Sequence, residues 1–594
     1  MSKTIICASS PPPAQGAVAV MEAKNKDKES VDKLLAKFIA TSRPKDSESS
    51  DDFMESAFFI DFVKAVSEFG SHYHLPDSET LETHLIPQVE KEVEEYFQDL
   101  KQSLNKTGCT ITPDIKKFRS WYDKLRGIRV YTPKGIFLWP DIYPQTQRSQ
   151  PLPWDSEKYW VRDIKEQLDA IDPANIVQFL AHEKVPQSVL NLFNEQYPWV
   201  TVIAKCAAGV VGKLLVNIFQ VGFVRNIVKS ATVVSKFIDK YYEPKIICIP
   251  MDMTKFKNLD TVVGCLNHTH WDAELCKTAS GFWVLKSLIG VEQALQPIQV
   301  CSDHVLEYED KEAATFINFV IHCKDFWSGL KRLEMILCPL FQAMSLLLSV
   351  DSPGLGYLYQ LFEKTESSLA EYIKDKNTLD SAHYQIIWEL FSEAKKDIIF
   401  QIHETAAFLS PSNLLAQKFK EADLQFNRIK QFISSRIFSS DEEEKACVSQ
   451  LIQYQSMDQI LFTDTAIEMA KSFHPRIWWE KCGDCYPELQ KQAIRILSQG
   501  CKFICCHEMD DKKNVWGWRM VMMESWKAFE RRALNLIDVE KLDGIEWTDP
   551  EDLLGCYSSF DYEQSLRPYA LLISQFDSAS SAKIPLLFEL WFRQ

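Results

Sequence analysis

The stretch Trp478–Gly500, WWEKCGDCYPELQKQAIRILSQG, decides how the rest of the chain is read. Two adjacent tryptophans precede a charged turn, and a helix follows. Pro487 suits the first helical turn, where its missing N–H costs nothing. Leu489, Ala493, Ile496 and Leu497 fall on one face at helical spacing. Glu488, Lys491, Arg495 and Ser498 fall on the other. Gly500 is a plausible C-terminal stop. On pattern alone this is an amphipathic helix that packs on its own domain.

The totals narrow the setting. A chain of 594 residues is too long for one core, and roughly three to five domains or subdomains follow from that length. Hydrophobic content of 46% with 12% aromatics describes a folded, well-buried protein. Sixteen cysteines without an apolar leader pattern at the N-terminus read as reduced thiols of an intracellular protein. The longest apolar run, Ile336 to Val350, is interrupted by Pro339 and Gln342, so no membrane span is expected. The net charge of −16 argues against a global basic field for nucleic acid, so any DNA binding would need a local patch.

Taken in order, residues 1–50 are polar and expected to be disordered, apart from a short helix around Val31 to Ile39. Residues 51–107 read as a helical lead-in. Phe59, Phe62, Val63 and Val66 form one stripe, stopped at Gly70. Val89, Val93, Phe97, Leu100 and Leu104 form a second, with Glu90, Lys91, Glu94 and Glu95 outside. His72, His74 and His84 read as surface histidines rather than metal ligands, since no cysteine lies near them.

The period then changes. Cys109–Thr112, Gly127–Thr132 and Ile136–Trp139 read as strands, with a turn at Pro133–Gly135. Helices near 156–170, 186–195 and 205–219 alternate with strands at 176–180 and 199–203. Residues 108–222 therefore predict an α+β or α/β unit with a mixed sheet. Residues 223–430 read as almost wholly helical, with stripes such as Phe326, Leu330, Leu333, Ile336 and Leu340, and punctuation at Asp351–Gly354 and Pro411. Residues 431–545 are helical again. Trp518, Met522, Trp526, Phe529, Ala533 and Leu536 form another strong stripe there. The tail 546–594 has little pattern and is assigned no role.

Several of these stretches resemble plant hAT-superfamily transposases, in the order that family has them. They are VEKEVEEYFQDLKQSLNKT at 89–107, GCTITPD at 108–114, TPKGIFLWPD at 132–141, and the strand–helix–strand NIVQFLAHEKVPQSVLNLFNEQYPWVTVIAKCAA at 175–208. FWSGL, VDSPGLGYLYQLF and IHETAAFLSP follow, and then WW with YPELQKQAIRILSQ, Cys501 and Cys506. The resemblance covers about residues 53–540. It implies a ribonuclease-H-like core with a large helical insertion and a C-terminal dimerisation region. The dimerisation residues it implies are Trp478, Trp479, Tyr486, Pro487, Leu489, Ala493, Ile496 and Leu497, with a homodimer or related hAT-like proteins as partners.

Members of that family transfer DNA with three carboxylates holding two divalent metals, which want hard oxygen ligands. Asp114 matches the first carboxylate. His182 stands in the second place, and the neighbouring Glu183 points to the opposite face of a strand. His507 stands in the third, and Glu508 is one residue late, a rotation of roughly 100° on a helix. The family's Cys-x-x-His is also broken, because Gly209 follows Cys206, and the N-terminal BED zinc finger is missing. An imidazole in place of a carboxylate weakens magnesium binding. The resemblance thus implies a catalytically inactive, domesticated transposase-like protein without metal or cofactor. Asp114, His182 and His507 are its vestigial positions. Nuclear location and DNA association follow from the family alone. A protein-interaction scaffold without DNA binding is the alternative, and an active transposase comes third.

Other chemistries find less support. Cys482, Cys485, Cys501 and Cys505 have a zinc-like rhythm, but a helix separates the pairs, and buried reduced thiols are the simpler reading. No Walker A, nucleophile-elbow or HExxH pattern occurs. The tryptophans at helical spacing read as core rather than base-stacking platforms.

Overall fold

The computed structural model describes residues 28–42, 57–118, 122–139, 157–181, 185–241, 272–296, 310–348, 354–374, 381–419 and 423–501. These fall into two compact units that meet in sequence between Gln102 and Ser103.

The amino-terminal unit is helical. Helix α1 (Lys28–Ser42) is longer than the short helix expected near Val31. It buries Val31, Ala36 and Ala40. Helix α2 (Ala57–Phe69) ends where expected, at Gly70, whose φ of 93° suits a residue without Cβ. Phe38 of α1 meets Phe59 of α2 with ring centroids 5.1 Å apart. Tyr73, after α2, packs edge-on against Phe62 and Phe69, and its hydroxyl donates to Asp32 Oδ1 at 2.9 Å. Asp77 then caps a turn by accepting from Thr80 N, and helix α3 (Ile86–Thr107) follows. Its predicted stripe is the buried one: Val89, Val93, Phe97, Leu100 and Leu104 are at most 5% exposed. His72, His74 and His84 are exposed.

The second unit contains the sheet. Its strands are β1 (Cys109–Phe118), β2 (Tyr122–Thr132), β3 (Gly135–Trp139), β4 (Ile176–Leu180) and β5 (Thr201–Ile203), in the order β3-β2-β1-β4-β5. The pairs β1–β2 and β2–β3 are antiparallel, and β1–β4 and β4–β5 are parallel. The sheet is therefore mixed, as expected.

The first hairpin is longer than the sequence suggested. Pairing runs on to Phe118 and Tyr122, through Lys116↔Lys124 and Lys117↔Asp123. These polar positions carry no hydrophobic alternation, so the pattern ended before the strand did. Pro113 sits inside β1, but the pairs with β4 stop at Ile111, so its missing N–H breaks no bond on that side. Strand β5 starts two residues later than expected. Trp199 instead donates its ring N–H to Pro173 O at 3.2 Å.

Helices α4 (Glu157–Ile171) and α5 (Gln187–Gln196) join the strands. Phe179 of β4 stacks on Phe193 of α5 with centroids 4.2 Å apart, so α5 lies over that side of the sheet. Helices α6 (Ala207–Gln220) and α7 (Gly222–Tyr241) follow β5 and meet at a bend of 79°. Among the described residues no single helix is long and apolar enough to cross a membrane. The apolar residues of this bent pair, such as Leu215 and Ile227, lie in the protein core.

The helical stretch is built from α8 (Asp272–Leu295), α9 (Asp310–His322), α10 (Lys324–Leu348), α11 (Leu355–Lys374), α12 (Ser381–Ile398), α13 (Gln401–Phe408), α14 (Pro411–Leu415) and α15 (Asp423–Ser434). Pro339 lies inside α10, so the apolar run that it interrupts in sequence is one helix in space as far as Leu348. Then come α16 (Asp441–Gln455), α17 (Asp464–Ala470), α18 (Pro475–Cys482) and α19 (Pro487–Leu497). Their starts are well specified. Ser440 accepts from Glu443 N at 3.3 Å, and Glu443 reaches back to Ser439 N at 2.9 Å, which holds its carboxyl below the usual range. Pro475 and Pro487 occupy first turns. One continuous core runs from Val177 of β4 through these helices to Leu497 and Cys501. The architecture is α+β, mostly helical around one five-stranded mixed sheet.

Gly108 is the hinge between α3 and β1. Its φ is 60°, and an added Cβ would lie 2.5 Å from Val177 Cγ2 and 3.1 Å from Asn175 O. Gly108→Ala combines a left-handed penalty with overpacking against the β4 lead-in. It is expected to cost about 2–4 kcal/mol, read as a lowered urea midpoint.

Candidate functional site

Alternation along β1 puts Thr110 and Thr112 on one side of the sheet. Across β2 their partners are Tyr131 and Arg129. On the other flank Thr110 pairs with Gln178 of β4, and Gln178 with Thr201 of β5. A polar row thus crosses four strands on one face. Thr110, Thr112, Arg129, Tyr131 and Gln178 are all buried, and Gln178 is 0% exposed. Burying polar side chains stabilises nothing unless they find partners, so packing alone does not account for these residue types.

The cover is the segment leaving α19. Gln499 Oε1 accepts from Thr110 Oγ1 at 2.9 Å, and its Nε2 donates to Thr107 O at 2.9 Å. Gln178 Nε2 donates to Gly500 O at 3.2 Å. A Cβ on Gly500 would stand 3.2 Å from the Tyr131 ring, so a side chain there would press on β2. Residues almost 400 apart in sequence are joined here, the Thr110–Gln499 separation being 389. Thr112 Oγ1, Gln178 Oε1 and Ser498 Oγ have no hydrogen-bond partner among the described residues.

Two arginines, Arg495 on α19 and Arg436 between α15 and α16, reach the lead-ins of the parallel strands. Arg495 donates to Ala174 O, just before β4. Arg436 donates to Trp199 O, just before β5, and lies 4.0 Å over the Phe432 ring. Burial draws the Arg436 guanidinium down to about 10, with Arg495 adding like-charge repulsion. Burial pushes the Cys109 thiol up to about 12, partly opposed by Arg495.

Of the vestigial positions, Asp114 is placed on β1 opposite Gly127, beside a bulge between Asp114 and Ile115. Its side chain lies outside the described residues, as do His182, Glu183 and His507. Among the described residues no group of three His, Cys, Asp or Glu could hold a metal ion. Cys482 lies 3.7 Å from the Met469 sulfur, Cys485 is exposed and Cys501 is buried, while Cys505 is not described. Cys206 is half-buried at the start of α6.

The residues expected at a dimer surface are brought together, but inside the chain. Trp478, Trp479, Leu489, Ala493 and Ile496 are 0% exposed, Tyr486 and Leu497 are buried, and Pro487 alone is exposed. Trp478 donates to Ala466 O at 2.7 Å and Trp479 to Leu409 O at 2.8 Å. Tyr486 donates to Asp458 at 3.0 Å. The rings of Tyr454, Phe462, Trp478 and Trp479 form one cluster with centroids 5.1–5.6 Å apart. The pattern-only reading, a helix packed on its own domain, describes these side chains.

Sequence reasoning missed Gln499, Arg495, Arg436 and Thr110. One signal was available: Gln178 interrupts the otherwise apolar strand IVQFL, and a polar residue in a fully buried strand asks for a partner. A second concavity, an open groove of 590 Å³, is lined by Lys205, Trp388, Glu389, Glu393, Lys396 and Asp397, with Lys205 and Asp397 paired at 2.6 Å. Its mixed charges define no single ligand chemistry.

No protein-family model matches the chain, and no curated protein matches it.

Proposed function

We propose that this chain is a catalytically inactive, domesticated hAT transposase-like protein that self-associates and acts in the nucleus as a DNA-associated regulator. The observation that carries the reading is the polar face of β1 and β4 closed by the segment after α19. The resemblance implies a ribonuclease-H-like mixed sheet with a large helical insertion, and the sheet order β3-β2-β1-β4-β5 and the return of Gln499 to β1 after the long helical stretch support it.

With His182 and His507 where such an enzyme needs carboxylates, Asp114 alone cannot clamp two divalent ions. No nicking of duplex DNA is expected with magnesium or manganese. Cleavage that Asp114→Ala abolished would overturn the assignment.

The deciding measurement is fluorescence anisotropy on duplex DNA across a salt series, without divalent metal. Binding that weakens linearly in log salt is the expected result, since phosphate contacts release counterions. A protein-interaction scaffold is the second reading, favoured by the net charge of −16. Absence of binding at low salt would overturn DNA association and leave self-association and protein partners as the retained function. Sedimentation at tens of micromolar should give a dimer, and a monomer there would refute self-association. The dimer surface must then use residues other than the buried tryptophans and the apolar face of α19.

A further inference from the structure

Helix α2 is apolar around more than half its circumference. Ala65, Phe58, Phe69, Phe62, Val66, Phe59 and Val63 follow one another around the wheel, Ser67 separates Val63 from Ile60, and Asp61, Lys64 and Glu68 hold the polar arc. Phe58 and Ala65 are buried, and Phe59 meets Phe38 of α1. Val63 and Ile60 are left open, 48% and 41% exposed, and Leu75 in the same unit is 65% exposed. One unit thus leaves three large aliphatic side chains open, the start of a docking face.

The chain supplies a matching segment. Residues 516–536 carry Trp518, Met522, Trp526, Phe529, Ala533 and Leu536 at helical spacing, and 93 residues follow Cys501. The charges are complementary. Residues 57–102 hold ten acidic and three basic residues, a net −7. Residues 512–536 hold six basic and two acidic residues, a net +4, within a chain of net charge −16. Opposite fields steer the two surfaces together, while the apolar stripes supply the contact. A tether within one chain raises the effective concentration over that of a separate molecule.

We propose that the amphipathic segment 516–536 docks in cis on the open face of α2, its tryptophan stripe covering Ile60 and Val63. The C-terminal stripe is then a clasp on the amino-terminal helices of its own chain, and not a free surface for a partner.

The test is photo-cross-linking in the full-length protein, with benzoylphenylalanine replacing Val63 or, on the polar arc, Glu68. Cross-links from position 63 should map within 516–536, at least tenfold above those from position 68. A mixture of light and heavy-isotope chains should give no mixed products. Failure to reach the segment, equal yields from the two positions, or mixed-isotope products, which would mean a second copy occupies the face, each overturn the proposal. Independently, Trp526→Glu with Phe529→Glu should speed amide exchange across residues 57–69 at least tenfold. Unchanged exchange there would also overturn it.

Discussion

A chain carrying Leu489→Asp and Ile496→Asp is expected to lose the fold of its carboxyl-terminal helices rather than to become a well-folded monomer. Both side chains are 0% exposed and belong to the core that runs from β4 to Cys501. Removing a buried leucine or isoleucine costs about 2–5 kcal/mol through lost transfer and cavity terms. Each aspartate also places a carboxylate among buried apolar side chains, a further several kcal/mol unless it protonates. Two such sites two turns apart on one helix exceed the roughly 5–15 kcal/mol that holds a typical protein together. Lys491 stands on the exposed side of the same helix, and Lys491→Ala should change stability by less than about 0.5 kcal/mol. Circular dichroism melting with size-exclusion chromatography separates the cases. A double variant with wild-type melting and halved mass would mean that these side chains meet a second copy.

The same helix shows what periodicity can and cannot deliver. Its start at Pro487 and its apolar face were legible, because a missing N–H and a 3.6-residue spacing are properties of the segment itself. What that face touches was not legible. An apolar stripe reads alike whether it meets its own core or another chain, and only the burial of Leu489 and Ile496 distinguishes them. The mixed sheet was legible from strands at 109, 127, 136, 176 and 199. The outer half of the first hairpin was not, because Lys116, Lys117 and Lys124 break the alternation of apolar residues along the strands that pair there. The polar face is the hardest case. Thr110, Gln178 and Gln499 become a site only when α19 delivers Gln499 to β1, and no local pattern encodes a hydrogen bond across 389 residues. Gln178, polar in a strand buried at every position, was the one local trace of it.

Acid sensitivity gives the second large effect, and it comes from His403. This histidine is the third residue of α13, 2% exposed, and its Nδ1 accepts from Phe400 N at 3.1 Å. Burial draws its pKa down to about 4, because a charged ring would be taken out of water. The neighbouring Glu404 offers it no rescue, since that carboxylate is engaged by Arg428 at 2.7 Å. The unfolded chain holds this histidine near 6.5, so between about pH 6.5 and pH 4 the unfolded state binds the extra proton. Stability contributed by neutral His403 is complete above pH 6.5 and falls as pH drops toward 4. From pH 7 to pH 5 the loss is about 2 kcal/mol, approaching about 3 kcal/mol at pH 4. Urea midpoints of wild type and His403→Gln, measured from pH 7.5 to 4.5, isolate this contribution from the carboxylates titrating in the same range. The variant is expected to start less stable, through imperfect packing, and to show a pH slope shallower by about one proton near pH 5. Parallel slopes for the two proteins would mean that His403 takes up no proton on unfolding, and the sensitivity would have to come from another group.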